Sequence, residues 1–174
     1  QQRARALDDA DALAISAVNR AVCLLAEGQA AEARTGVDEA LADARISKSR
    51  RAELLVAGAR AEMALGQPGE ARARAEAALT LDPESALRAQ ALLVKSGAEL
   101  MDKDAAAAAK VLAVGLSDQN WAKLPVSIRA EHAARQAEIA AAEKRFPAAA
   151  SRQEDAAKLW KKAGRLPEMA RALA

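Results

Sequence analysis

The chain has 174 residues and a formal net charge of +2, and 52% of its residues are hydrophobic, 29% charged and only 2% aromatic. This length suits one domain with a single core, and the low glycine, proline and cysteine content excludes collagen-like, mucin-like and disulfide-scaffold proteins. About 50 residues are alanine. Alanine and the other strong helix formers dominate, whereas the β-branched and aromatic residues that strands prefer are scarce. The composition therefore predicts an all-α protein.

Four segments share one pattern: a helix ends, a short turn follows, and a second helix closes on a small residue, usually followed by leucine. In chain order they are residues 27–41, 65–83, 103–116 and 144–157. Gly28 and Gly66 stand at the first two turns, where the cap of a helix C-terminus needs a positive φ. After the second segment, Asp82-Pro83-Glu84 predicts a new helix, with Asp82 as its N-cap and Pro83 at its first position.

Small residues recur in one register through these segments. They are Ala21, Ala59, Ser96 and Ala137 in the first helices, Ala33, Ala71, Ala108 and Ala149 early in the second helices, and Ala40, Ala78, Gly115 and Ala156 near their ends. Two helices approach to about 8 Å only where side chains are small, and a single hairpin cannot bury its apolar stripe alone. We therefore predict stacked antiparallel hairpins in which Ala59, Ala71 and Ala78 are buried.

The segment from Leu65 to Pro83 resembles the tetratricopeptide repeat, whose pattern has glycine at the turn, alanine in the second helix, and Ala-Leu followed by Asp-Pro at the end. The resemblance covers about residues 12–163 and implies an α-solenoid of about four hairpins within a single domain over residues 1–174. The predicted repeats are 12–46, 50–85, 86–118 and 125–163, with partial terminal helices at 1–10 and 167–174. These partial ends indicate a piece of a longer repeat array.

In a tetratricopeptide solenoid the first helices line a concave face, so the resemblance implies a groove there. The residues expected to bind a partner are Ile15, Asn19, Val22, Val56, Arg60, Met63, Leu93 and Leu100. Such a groove, apolar at its N-terminal end and mixed or acidic further on, captures extended or helical peptides. A neighbouring repeat of a longer protein, or a second copy of the chain, is the alternative occupant.

Some family members clamp a partner's terminal carboxylate with an asparagine, and Asn19 matches that position. Ala57 and Val94 stand at the equivalent positions of the next two repeats. The clamp is therefore incomplete, which disfavours the binding of a chaperone tail.

Several residues outside this pattern have both a structural and a functional interpretation. The apolar neighbours of Cys23 favour a small buried side chain over a reactive thiol, and His132 is expected on a helix surface or partly buried. Trp121 is expected to fill a gap in an irregular repeat and Trp160 to pack on the last hairpin, with a partner contact as the alternative for both. The basic run over residues 45–51 favours a solvated loop leading into a helix over a phosphate-binding patch.

No motif for catalysis occurs in the chain. One histidine and one cysteine are too few for a zinc site of Cys and His ligands. A glycine-rich phosphate loop and a Gly-x-Ser-x-Gly elbow are also missing from the sequence. We therefore expect no catalytic residues, no metal and no cofactor.

The leading hypothesis is a noncatalytic scaffold that binds a protein or peptide partner in its concave groove, with self-association as a further expectation. The alternative is a sensor or regulatory helical-repeat segment that couples domains or binds a small effector. RNA binding is a third hypothesis, but glutamates in the predicted groove disfavour it, so no nucleic acid is expected. No apolar run approaches the ~18 residues of a membrane span.

The abundance of alanine and arginine is typical of a high-GC bacterium. A first residue of Gln1 fits a processed periplasmic protein and equally a piece of a longer protein. Cytoplasm and periplasm both stay open as the compartment, with the periplasm slightly favoured.

Overall fold

The computed structural model describes residues 2–115, 123–165 and 168–169. Its eight named helices are α1 (Gln2–Ala26), α2 (Ala30–Leu41), α3 (Lys48–Ala64), α4 (Pro68–Thr80), α5 (Ser85–Met101), α6 (Ala105–Gly115), α7 (Val126–Ala142) and α8 (Phe146–Lys162). The described residues contain helices and turns and no strand, so the prediction of an all-α protein is confirmed. Within the same residues, no helix combines the length and the apolar character that crossing a bilayer requires.

The chain divides into two compact units, residues 1–94 and residues 95–174. In the first unit, α1 packs on α2 and α3, α2 packs on α3, and α3 packs on α4. In the second unit, α6 packs on α7, and α7 packs on α8. The Ser96 hydroxyl of α5 donates a hydrogen bond to the Ala108 carbonyl of α6 at 3.1 Å. The solenoid and the single domain over residues 1–174 stay predictions.

Helix α1 is continuous over 25 residues. The prediction of one partial helix at 1–10 and a separate helix from residue 12 is therefore wrong. No glycine or proline interrupts the segment, so no residue there breaks the hydrogen-bond ladder. Asp11, inside α1, accepts a hydrogen bond from the Ser47 backbone N–H at 2.8 Å. This contact ties the middle of α1 to the start of α3.

The small residues of the predicted register lie where helices meet. Buried among them are Ala21, Ala59, Ser96 and Ala137, Ala33, Ala71, Ala108 and Ala149, and also Ala78 and Ala156. Ala40 is half-buried, and the surroundings of Gly115 lie outside the described residues. The prediction that Ala59, Ala71 and Ala78 are buried is confirmed. A methyl side chain allows two helix backbones to approach closely at these points.

The turn inside each helix pair contains one residue in the left-handed region. In the first two turns it is Gly28, with φ +79°, and Gly66, with φ +72°, as predicted; in the next two it is Lys103, with φ +65°, and Lys144, with φ +60°. The backbone N–H after each of these residues donates to a carbonyl five residues back, at 2.8 to 2.9 Å. This is the Schellman arrangement, which satisfies carbonyls at a helix end.

The connection between α4 and α5 differs from the prediction. Asp82 has a φ of +51°, whereas an N-cap residue needs extended backbone. Helix α5 begins at Ser85, beyond Pro83. The assignment of Asp82 as N-cap and Pro83 as first helical residue is therefore wrong, because Asp82 turns the chain after α4.

A buried charge cluster lies inside the first unit. Glu62 of α3 is only 2% exposed, and its Oε1 lies 3.1 Å from Arg74 Nη2. Arg74 Nη1 donates to Asp38 Oδ1 at 2.7 Å, and Arg34 Nη1 lies 4.0 Å from Glu62 Oε2. A Cβ at Gly58 would lie 2.7 Å from Arg74 Nη1, so the missing side chain of Gly58 makes room for the guanidinium.

The second unit contains a similar contact between a glycine and an arginine. A Cβ at Gly97 would lie 2.8 Å from Arg135 Nη2. Arg135 pairs with Glu138 one turn later on α7, and the Glu138 side chain is exposed. The arginine again covers a helix surface that has no side chain of its own.

Trp160 is buried in a small cluster of the second unit. The alanines around it are Ala130, Ala133, Ala156 and Ala157. Small neighbours leave room for the indole ring, and the predicted packing of Trp160 on the last hairpin is confirmed. Trp121 lies outside the described residues.

Candidate functional site

A cleft in the first unit is the best candidate for a functional site. Its volume is about 460 Å³, which lies in the range of ligand sites. Its lining is Val18, Val22, Leu25 and Ala26 of α1, Glu53, Val56, Ala57 and Arg60 of α3, and Leu87 and Gln90 of α5. The cleft is therefore lined by the first helices of three successive pairs, the type of helix from which the resemblance implies a groove.

The wall from α1 is apolar. Val18, Val22, Leu25 and Ala26 share one side because residues four and seven apart face the same way on a helix. The Val22 side chain is 54% exposed, whereas Val18 and Leu25 pack against the core of the unit. This wall therefore offers apolar surface to a ligand on a well-packed helix.

Val56 forms the floor of the cleft. Its side chain is only 2% exposed and packs in a cluster with Ala78 and Ala91, against which Leu87 is also packed. The expectation that Val56 points outward is wrong, because α4 and α5 cover it on both sides. Val56 shapes the bottom of the cleft and offers almost no surface of its own.

The polar groups of the cleft come from α3 and α5. Glu53 accepts from Arg50 at 2.6 Å, and Arg60 and Gln90 are half-buried. These groups supply a carboxylate, a guanidinium and an amide, which can orient a bound segment. Within the described residues, no three His, Cys, Asp or Glu side chains are grouped so that they could hold a metal ion.

The other residues expected to bind a partner lie outside this lining. Ile15 and Asn19 are exposed on α1, and Met63 and Leu100 are half-buried. Leu93 is only 3% exposed, so the expectation that it points outward is wrong. Of the eight expected residues, the cleft brings together Val22, Val56 and Arg60.

Sequence reasoning missed Val18, Leu87 and Gln90 as lining residues. Leu87 lies on a different side of α5 from Leu93, because six residues do not complete a whole number of helical turns. The apolar spacing of Val18 with Val22 and Leu25 was a signal that could have found Val18.

Cys23 is exposed, so the expectation of a buried cysteine is wrong. The buried face of α1 carries Ala14, Ala21 and Leu24. Cys23 is two residues from Ala21, which places its side chain on the opposite side of the helix. The apolar neighbours Ala21 and Leu24 lie on the buried face of α1, and Cys23 does not.

The basic run of residues 45–51 is engaged locally. Ser47 caps α3 by accepting from the Arg50 backbone N–H. Arg51 donates to the Leu41 carbonyl at the end of α2 at 3.3 Å and to the Asp43 carbonyl just after it at 3.2 Å. Arg45 donates to Asp43 at 2.7 Å, and these bonds lower the pKa of Asp43 from 3.8 to about 2. These contacts favour the loop interpretation over a phosphate-binding patch.

His132 is half-buried on α7 and lines a second cleft, which lies in the second unit. Burial, followed by the charge of Arg152, lowers the pKa of His132 from 6.5 to about 4. His132 is therefore neutral at pH 7. Sequence reasoning missed this cleft, because its lining residues come from three helices and share no motif.

The chain matches no protein-family model, no curated protein and no solved structure among those compared. The likeness to the tetratricopeptide repeat rests on the residues from Leu65 to Pro83 and on the recurring small residues.

Proposed function

We propose that the chain is a noncatalytic, tetratricopeptide-like helical-repeat scaffold that binds a segment of a protein partner in the cleft between α1, α3 and α5. The observation that carries the proposal is that the residues lining the cleft come from three different helices. Val22, Val56 and Leu87 come from three successive first helices and meet in one cleft. A preformed surface of this kind binds with little ordering cost to the scaffold.

The chemistry of the lining favours a partner segment with an apolar anchor. Val18, Val22 and Leu25 provide apolar contact, while Glu53 and Arg60 provide charge at the sides. A cleft of about 460 Å³ accommodates one or two large side chains rather than a folded surface. The expected partner is therefore an extended or helical peptide that inserts one or two apolar side chains beside a charged one.

Selection from a random peptide library with the whole chain tests this proposal. The selected peptides should share an apolar anchor, and Val22→Asp should weaken their binding about tenfold or more by placing a charge in the apolar wall. Leu13→Asp is the matched control. Leu13 is also a large exposed apolar residue of α1, 65% exposed, but it is not among the residues that line the cleft.

Two results would contradict the proposal. One is that Val22→Asp and Leu13→Asp weaken the binding of the selected peptides equally, because the peptides then bind outside the cleft. The other is a chain that dimerises in light scattering and becomes monomeric only with Val22→Asp. In that case a second copy occupies the cleft in place of a partner.

A further inference from the structure

The second cleft lies in the unit of residues 95–174, between α6, α7 and α8. Its volume is about 480 Å³, and its apolar side includes Leu112, Ile139, Ala140 and Ala148. Its polar side is formed by His132, Gln136, Arg145 and Arg152. An apolar wall that faces a few converging polar groups is the usual composition of a small-molecule site.

The charged groups that line this cleft are both arginines. Arg145 pairs with Glu143 through Nε and Nη2, which leaves Nη1 outside that pair. Arg152 lies 3.8 Å from Asp155, a distance too long for a strong hydrogen bond. A guanidinium has five N–H donors, and one carboxylate engages at most two of them well. Both arginines therefore keep donors for an anionic ligand.

The cleft continues along α7 and α8 through His132, Gln136 and Arg152, which also line an adjoining stretch. That stretch adds Arg129 and Lys158. Arg129 Nε is buried without a hydrogen-bond partner among the described residues. A buried donor without a partner is costly.

His132 adds hydrogen bonding without adding negative charge. It is neutral at pH 7, because burial and the nearby charge of Arg152 hold its pKa at about 4. A neutral imidazole has one donor and one acceptor nitrogen. Gln136 follows one turn later on the same side of α7, so its amide extends the neutral polar surface.

We propose that this cleft binds a small amphipathic anion, that is, a carboxylate or phosphate monoester on a short aliphatic body. The anionic group lies between Arg145 and Arg152, and the aliphatic body lies along Leu112 and Ile139. The inference goes beyond the peptide cleft of the first unit, because it concerns different residues and a different class of ligand.

Titration of the whole chain with octanoate, octyl phosphate and neutral octanamide tests the proposal. The chain has one histidine, so the imidazole Cε1–H signal in NMR spectra belongs to His132. At least one of the two anions should shift this signal saturably and bind about tenfold more tightly than octanamide, because charge-assisted hydrogen bonds are the stronger ones. The tighter of the two anions identifies the ligand as a carboxylate or a phosphate.

A second readout is the titration of His132 itself. Arg129, Arg145, Arg152 and Lys158 surround the clefts that it lines, and Asp155 is the carboxylate among these lining residues. A bound anion opposes the effect of these cations on the imidazolium. The pKa of His132 should therefore rise above about 4 when octanoate or octyl phosphate is bound.

Arg152→Gln should weaken the binding of the anion about tenfold, while the circular dichroism spectrum of the variant shows that it is still folded. Arg20→Gln, an exposed position on α1, is the control with the same change in net charge. The proposal would be overturned if octanamide bound as tightly as the anions, or if Arg152→Gln and Arg20→Gln weakened binding equally. It would also be overturned if neither anion shifted the His132 signal saturably. Inorganic phosphate that binds as tightly as octyl phosphate would also overturn it, because the apolar wall would then contribute nothing.

Discussion

The two units differ in what surrounds the same contact between a glycine and an arginine. In residues 1–94, Gly58 makes room for Arg74, which pairs with Asp38 and with the buried Glu62. In residues 95–174, Gly97 makes room for Arg135, whose Nε is buried without a hydrogen-bond partner among the described residues. The steric part of the contact recurs, whereas no carboxylate is buried beside it among the residues of the second unit that the structure describes.

The two units also differ in which residue adopts the left-handed conformation at the turns inside the helix pairs. In these turns, the left-handed residue is Gly28 or Gly66 in the first unit and Lys103 or Lys144 in the second. A residue with a Cβ pays about 1 kcal/mol or more for this conformation, which glycine adopts readily. The geometry of the helix pair therefore sets the backbone conformation at this position, and the second unit tolerates a residue that fits it less well.

The largest expected effect is the loss of the arginine that neutralises the buried charge. Arg74→Ala should lower the free energy of unfolding by about 3 kcal/mol, because it removes the guanidinium that lies 3.1 Å from the buried carboxylate of Glu62. Arg135→Ala should cost about 1 kcal/mol, since its partner Glu138 is exposed. Chemical denaturation followed by circular dichroism measures both values.

The double variant Glu62→Leu with Arg74→Met sharpens this comparison. It should recover most of the stability lost in Arg74→Ala, because a buried ion pair can be replaced by apolar residues at little cost. If Arg74→Ala and Arg135→Ala have equal effects, the buried carboxylate does not distinguish the two units.

The next effect concerns the tightly packed alanines. Ala71→Leu should destabilise the first unit by about 1–3 kcal/mol through overpacking, because Ala71 is fully buried. Ala149→Leu, the equivalent change in the second unit, should cost less, since Ala149 retains some exposure. Ala73→Leu, at an exposed position of α4, is the control. A thermal melt in which Ala71→Leu behaves like Ala73→Leu would show that α3 and α4 are not in tight contact there.

The smallest expected effect concerns the turns. Gly66→Ala should lose about 1 kcal/mol, and Lys144→Gly should gain up to about 1 kcal/mol, because the two changes add and remove the same left-handed strain. Gly69→Ala is the control, since Gly69 lies in α4 with open space around it and outside the positive-φ region. Stabilisation by Gly66→Ala, or destabilisation by Lys144→Gly, would contradict the strain argument.

Much of the fold followed from local signals in the sequence. Gly28 and Gly66 marked turns because few other residues adopt a positive φ, and the recurring small residues marked helix contacts because bulky side chains would not fit. The continuity of α1 and the role of Asp82 did not follow. Aspartate favours several local conformations, including the left-handed one, so its presence does not distinguish a helix start from a helix end.

The candidate sites were less accessible to prediction. The apolar wall with Val22 follows from helix periodicity, but the burial of Val56 depends on α4 and α5, whose rotation is set by tertiary packing. The cleft with His132 and Arg152 depends on three helices and on no local motif. The exposure of Cys23 was missed for a related reason, because apolar neighbours in the sequence do not determine which face of the helix a residue occupies.

The alanines at the helix contacts also affect the thermodynamics of folding. An alanine side chain has no rotamers to lose on burial, so its ordering adds no side-chain entropy cost. It also removes little apolar surface from water, and the heat-capacity change on unfolding scales with that surface. We therefore expect a fold built on Ala59, Ala71 and Ala78 to have a small heat-capacity increment for its length, and its stability curve to bend only slightly with temperature.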